Sequence, residues 1–263
     1  MKLGVNIDHI AVLREAREIN DPNILDSLPP CKIAGADQIT IHLREDRRHI
    51  KDKDVLDILA HTNLPINLEC SLDKDILKFV ATHKPHIATL VPENRAEVTT
   101  EGGLDIKALQ KGIKEAKVLF DKNDIALSVF IDPNTDMIDI VQSLGISNIE
   151  LHTGRYANIY AMLYGGLANS SDSIAALELP RERLKKLLDK SLKDITASVH
   201  LAKFYGMHIA VGHGLNYQNI INILKIKDID ELNIGQSIVA RSVFVGLQTA
   251  IKQMKDIISK EKI

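Results

Sequence analysis

Short apolar runs alternate with longer amphipathic ones along the whole chain. The short runs are KLGVNID (2–8), DQITIHL (37–43), PINLECS (65–71), IATLVPE (87–93), IALSVFID (125–132), NIELHTG (148–154), HIAVGHG (208–214) and DELNIG (230–235). Most are continuously apolar until their last residues, as suits parallel strands covered on both faces. Helical spacing marks KDVLDILAHT (53–62), KDILKFVATH (74–83), ALQKGIKEAKVLFDK (108–122) and TDMIDIVQSLG (135–145). The last of these follows Pro133-Asn134 and ends in glycine, a start and a stop signal. The stretch from about 240 to 260 reads as one long helix. Eight strand–helix alternations predict an α/β chain whose parallel sheet closes into a (β/α)8 TIM barrel with extra helices. The alternative is an open doubly wound sheet, but no GxGxxG follows the first run.

No low-complexity segment or shift in composition marks a linker, so residues 1–263 are read as a single barrel domain. One enlarged helical insertion falls within about 155–207. It contains GGLANSSDS (165–173) and a charged helix around LPRERLKKLLDKSLKDI (179–195). Leu184, Leu187, Leu188, Leu192 and Ile195 share one face of that helix, which serves either the core or a contact with another subunit.

Composition narrows the function. With 45% hydrophobic and 26% charged residues in a chain of 263, a sizeable core is available. A net charge of −2 gives no general attraction to nucleic acid, so any anion site must be local. The two cysteines, Cys31 and Cys70, make neither a disulfide framework nor a CxxC pair, which fits a reducing cytoplasm. MKLGVNIDHI lacks the apolar stretch of a signal peptide, and no run of about 18 apolar residues suggests a membrane span. No HExxH or other diagnostic ligand spacing appears, so no metal is expected.

In a TIM barrel the chemistry sits at the C-terminal ends of the strands. Those ends carry Asn6, Asp8 and His9; His42 and Arg44; Asn67 and Glu69; Glu93; Asp132; Glu150, His152 and Thr153; His213; and Asn233. One such residue is commonly structural, but polar groups at the same end of nearly every strand suggest a site. Five of the ten histidines (9, 42, 49, 152 and 213) lie there, and with Glu69 and Glu150 they form a candidate set of general acids and bases. Strand parity puts Asn67 with Glu69 and Glu150 with His152, without saying which face is the interior.

Two places suit phosphate. The loops after the seventh and eighth strands read GHGLN (212–216) and NIGQS (233–237), glycine-rich where backbone N–H groups would approach an anion. The charged run IHLREDRRHI (41–50) offers Arg44 and His49, while Glu45, Asp46, Arg47 and Arg48 read as solvated or locally paired. Two anion sites imply two phosphorylated substrates or one bisphosphate. TTEGGLD (99–105) suits either a mobile lid or a plain turn.

NIDHI (6–10), HLREDRRHI (42–50), NLE (67–69), LVPE (90–93), EVTTEGGLD (97–105), ELHTG (150–154), GHGLNY (212–217) and ELNIG (231–235) together resemble the pyridoxine 5′-phosphate synthase family. The resemblance runs in order from the first strand to the last helix. It implies a cytoplasmic, homo-octameric TIM-barrel enzyme without a cofactor. That enzyme would condense 3-amino-2-oxopropyl phosphate with 1-deoxy-D-xylulose 5-phosphate, yielding pyridoxine 5′-phosphate, phosphate and water. By the same resemblance, Asn6, Arg17, Gly214, Gly235 and Gln236 hold the amino ketone. Asp8, His9, Arg44, His49 and Thr99 hold the sugar phosphate. His42 and Glu69 accept protons, His213 donates one and Glu150 assists. Two features depart from the pattern: Gln236 stands where histidine is expected, and the 155–207 segment is longer. An isomerase or aldolase acting on one phosphosugar is the alternative.

Overall fold

A computed structural model describes residues 1–93 and 102–260. Eight parallel strands close into a barrel in sequence order, with β8 hydrogen-bonded back to β1. They are β1 (Lys2–Asn6), β2 (Gln38–His42), β3 (Ile66–Cys70), β4 (Ile87–Leu90), β5 (Ala126–Ile131), β6 (Asn148–His152), β7 (His208–Gly212) and β8 (Glu231–Ile234). Each lies within a run identified from the hydrophobic pattern. The first run, however, stops being strand at Asn6, and Asp8 and His9 open helix α1 (Asp8–Glu15).

The other described helices are α2 (Leu28–Ile33), α3 (Asp52–His61), α4 (Lys74–His83), α5 (Ile106–Asp121), α6 (Thr135–Ser143), α7 (Gly154–Tyr164), α8 (Arg181–Phe204), α9 (Ile220–Leu224), α10 (Gln236–Val245) and α11 (Leu247–Lys260). Side-chain caps set several starts. Asp73 accepts from the amides of Asp75 and Ile76, and Asn134 from that of Asp136. The expected long C-terminal helix is in fact two. Gly246, at φ 79° and ψ 149°, turns the chain between α10 and α11 in a region only glycine enters readily. The 155–207 segment folds as α7, two single 3-10 turns (Leu167–Asn169 and Ala175–Leu177) and the long α8.

Strand parity divides the barrel into two environments. One face of each strand points outward: Leu3 and Val5, Ile39 and Ile41, Ile66 and Leu68, Val129 and Ile131, Ile149 and Leu151, Ile209 and Val211. All are at most 1% exposed and pack beneath the helices. Each contributes about 1.5–3 kcal/mol by leaving water. The inward face is polar, whereas branched aliphatics usually fill such a barrel. Gln38 Nε2 donates to Glu231 Oε1 at 2.7 Å. Thr89 Oγ1 donates to Asn67 Oδ1 at 2.8 Å, and Asn233 Nδ2 to Glu150 Oε2 at 2.7 Å. Pairing offsets the cost of burying these groups. Two glycines make the room: a Cβ on Gly4 would stand 2.1 Å from Asn233 Oδ1, and one on Gly212 2.3 Å from Glu150 Oε1.

Candidate active site at the C-terminal mouth of the barrel

The inward polar column ends at the mouth in His42, Glu69, Glu150 and His152, brought together by the registers His42–Glu69 and Phe130–Glu150 and the neighbouring strand ends. Across β1, Asn6 and Asp8 lock each other. The Asp8 amide donates to Asn6 Oδ1 at 2.9 Å, and Asn6 Nδ2 donates to Asp8 Oδ2 at 3.1 Å. Asp8 Oδ1 accepts the His42 amide at 2.9 Å, tying α1 to the end of β2. Gly235, after β8, closes the ring. A Cβ there would meet His9 Cε1 at 2.6 Å and Asn6 Cβ at 2.9 Å, so only glycine lets these chains converge.

His42 stands between two carboxylates, with Nδ1 4.0 Å from Glu69 Oε2 and Nε2 4.0 Å from Glu93 Oε2. Those spans are too long for hydrogen bonds and leave His42 Nε2 buried without a partner, as befits a group that meets a ligand. Glu93 also lies 3.4 Å from Arg44 Nε and accepts the Glu45 amide at 2.9 Å. The sequence pattern flagged Glu93 only as a strand end, and its place between Arg44 and His42 is a product of the fold.

Burial dominates the proton affinities. It pushes His42 down to about 3, helped by Arg44 and His49, and His213 down to about 4, helped by His152 and His9. His9 falls to about 4 through burial, against a backbone hydrogen bond with Asn6. Burial raises Asp8 to about 7. It also raises Glu69, to which Glu150 and Asp8 add repulsion, and Glu150, against the pull of Asn233. Burial thus favours the neutral form of His9, His42 and His213 and the protonated form of Glu69 and Glu150 in the ligand-free mouth.

Within the charged run, burial and local pairing differ from residue to residue. Arg44 is buried at the end of β2, and His49 is half-buried, its pKa lowered by burial and by Arg44 and Arg48. The others pair locally: Arg48 Nη2 with Asp46 at 2.6 Å, Arg47 Nε with Asp52 at 2.9 Å, and Glu45 Oε1 with Ser71 Oγ at 2.9 Å. Arg14, unforeseen from the sequence, anchors the run. Its guanidinium forks onto Asp54 at 2.7 and 2.8 Å and donates to the His49 carbonyl at 2.9 Å.

Opposite, His213 takes a left-handed backbone (φ 76°), and Gly214 follows at φ 78°. Such a conformation is costly for histidine and must be held. Thr153 holds it: its amide donates to the Gly212 carbonyl at 2.8 Å, and its hydroxyl lies 2.6 Å and 2.7 Å from the Gly212 and His213 carbonyls. Ser237 Oγ donates to the Leu215 carbonyl at 2.8 Å, fastening the loop after β7 to the first turn of α10. Gly214 and Gln236 are exposed there. Arg17 stands exposed beyond the C-terminal end of α1, its amide donating to the Arg14 carbonyl at 3.2 Å. Thr99 lies outside the described residues.

Residues 3–260 match the model of a family described as pyridoxal phosphate biosynthesis protein PdxJ. The pyridoxine 5′-phosphate synthase of Aliarcobacter butzleri is 58% identical over 261 residues, covering 99% of this chain and 100% of that one. That of a Nitratiruptor species is 54% identical, covering 99% and 98%. Among solved structures, phosphoribosyl anthranilate isomerase from Thermus thermophilus shares the fold alone, with a TM-score of 0.55 and 10% identity over 99% of each chain. With a family model spanning nearly its whole length and relatives above half identity end to end, this chain belongs to the PdxJ family.

Proposed function

We propose that the protein condenses 3-amino-2-oxopropyl phosphate with 1-deoxy-D-xylulose 5-phosphate to form pyridoxine 5′-phosphate, phosphate and water. The observation that carries this reading is a ring of His42, Glu69, Glu150 and His213 at one mouth, with an anion-suited segment on either side. Imine formation, enolisation, elimination, hydration and ring closure need protons moved at several positions, which one acid–base pair serves poorly. His42 and Glu69 accept protons, His213 donates and Glu150 assists.

Asn6, Arg17, Gly214, Gly235 and Gln236 hold the amino ketone, whose phosphate is retained. Gln236 donates to a phosphate oxygen but does not titrate. Asp8, His9, Arg44, His49 and Thr99 hold the sugar phosphate, and the cations favour departure of its phosphate. The reaction as proposed calls on no cofactor. We place the enzyme in the cytoplasm as a homo-octamer; no described helix is long and apolar enough to cross a membrane. Exposed Val12 and Leu13 on α1, and Val243 and Phe244 on α10, supply apolar surface for subunit contact.

The test supplies both substrates to purified protein and follows pyridoxine 5′-phosphate and phosphate together. Equimolar products that require both substrates are expected. Glu69→Gln and His213→Asn should each lower kcat by about 10²–10⁴-fold. Turnover of one phosphosugar alone, or unchanged rates in both variants, would refute the reading.

A further inference from the structure

His152 is the least explained histidine of the mouth. Its Nδ1 lies 2.9 Å from Asp132 Oδ1, at the end of β5. The same oxygen accepts the Gly103 amide at 3.1 Å, so Asp132 is itself held in place. A carboxylate can only accept, so Asp132 holds a His152 proton on Nδ1, and in the neutral ring Nε2 is then the acceptor. That Nε2 is buried and has no partner.

Where Nε2 faces is fixed by a glycine. A Cβ on Gly154 would fall 2.3 Å from His152 Nε2 and 3.0 Å from His213 Cδ2, so the edges of the two rings converge over Gly154. The ring centroids are 4.9 Å apart at an interplanar angle of 66°. Phe130 backs both rings, its centroid 5.1 Å from that of His152 and 6.3 Å from that of His213. A cavity of about 950 Å³ opens beside them, walled by the loop from β5 into α6, by α7 and by α8. His213 lies in that wall, so its ring is not fixed by close packing on every side.

We propose that Asp132 and His152 act as a positioning pair for His213. Asp132 sets the tautomer of His152, and His152 then fixes the His213 ring and turns its Nε2 toward the Cδ2 edge of that ring. This builds on the proton-donor role proposed for His213, but its first test needs no substrate. Ring-¹⁵N NMR of the ligand-free protein should find His152 protonated at Nδ1 and bare at Nε2, and Asp132→Asn should mix the two forms. Under the two-substrate assay, Asp132→Asn and His152→Gln should each lower kcat by roughly 10–100-fold, with KM for both substrates within about twofold. Asp132→Glu should restore part of the loss. A proton on Nε2 in the unaltered protein, or kcat within twofold in a folded Asp132→Asn variant, would overturn the proposal. Failure of the reaction with the Nδ1 tautomer intact would count instead against the proposed function.

Discussion

Burial pushes His9, His42 and His213 toward the neutral form and Glu69 and Glu150 toward the protonated form in the empty mouth, an arrangement the approach of an anion must change. His49 is the simplest reporter. Burial, Arg44 and Arg48 hold its pKa below the ordinary value, and a bound dianion acts in the opposite direction. Binding of sulfate, a dianion throughout this range, should therefore be accompanied by proton uptake near pH 6.5. Calorimetry in buffers of different ionisation enthalpy measures this, and His49→Gln should reduce the uptake. At this scale the sequence was informative about residue type and position. Glu69 and Glu150 were visible as strand-end carboxylates, and parity placed each with its neighbour. Their shifted proton affinities were not visible, because these depend on how completely the opposite strands exclude water. Glu93 and Asp132 each stood at a strand end too, but their importance comes from partners distant in sequence.

Among the elements, α1 does more than follow β1. Through Arg14 it grips both the His49 carbonyl and Asp54, and Asp54 Oδ2 also accepts the Lys51 amide at the start of α3. Arg14→Met would leave Asp54 buried opposite an apolar side chain and free the run that carries His49. A loss of about 3–5 kcal/mol in denaturant unfolding is expected, with weaker sugar phosphate binding. Arg14→Lys should recover only part of both, since an ammonium cannot fork onto a carboxylate. At Gly246 the expected cost of Gly246→Ala is about 1–3 kcal/mol by the same measurement, because alanine is strained at that backbone geometry. Periodicity alone missed this break, since the apolar spacing of α10 runs on into α11. The barrel strands were easier to recognise: their outward faces must be apolar wherever helices cover them, and that requirement is written into each short run.

For the whole molecule, a polar barrel interior makes stability depend on pH. Glu231, deep in the barrel and paired with Gln38, is raised by burial from 4.5 to about 7. Between those values the folded chain keeps a proton that the unfolded chain has released, so this group lowers stability as pH rises through that window. Glu231→Gln keeps an acceptor for Gln38 and removes the ionisation. Its stability relative to the unaltered protein should grow from pH 4.5 to 7 and then level off, by up to about 3 kcal/mol. His42, His9 and His213 contribute with the opposite sign. Neutral when folded but protonated when unfolded, they add stability as pH rises from their lowered values toward 6.5. Thermal unfolding across pH 4–8 separates the two. The closed barrel was foreseeable from eight alternations, whereas the polarity of its interior was not, because parity alone does not say which face turns inward.

As proposed, one mouth holds two phosphates, retaining the amino ketone's and expelling the sugar's. Each substrate can be labelled with ³²P in turn and the products separated. Label from 1-deoxy-D-xylulose 5-phosphate should appear wholly in free phosphate, while label from 3-amino-2-oxopropyl phosphate should stay in pyridoxine 5′-phosphate. The reverse partition, label from both substrates in free phosphate, or no labelled product at all would contradict the proposal.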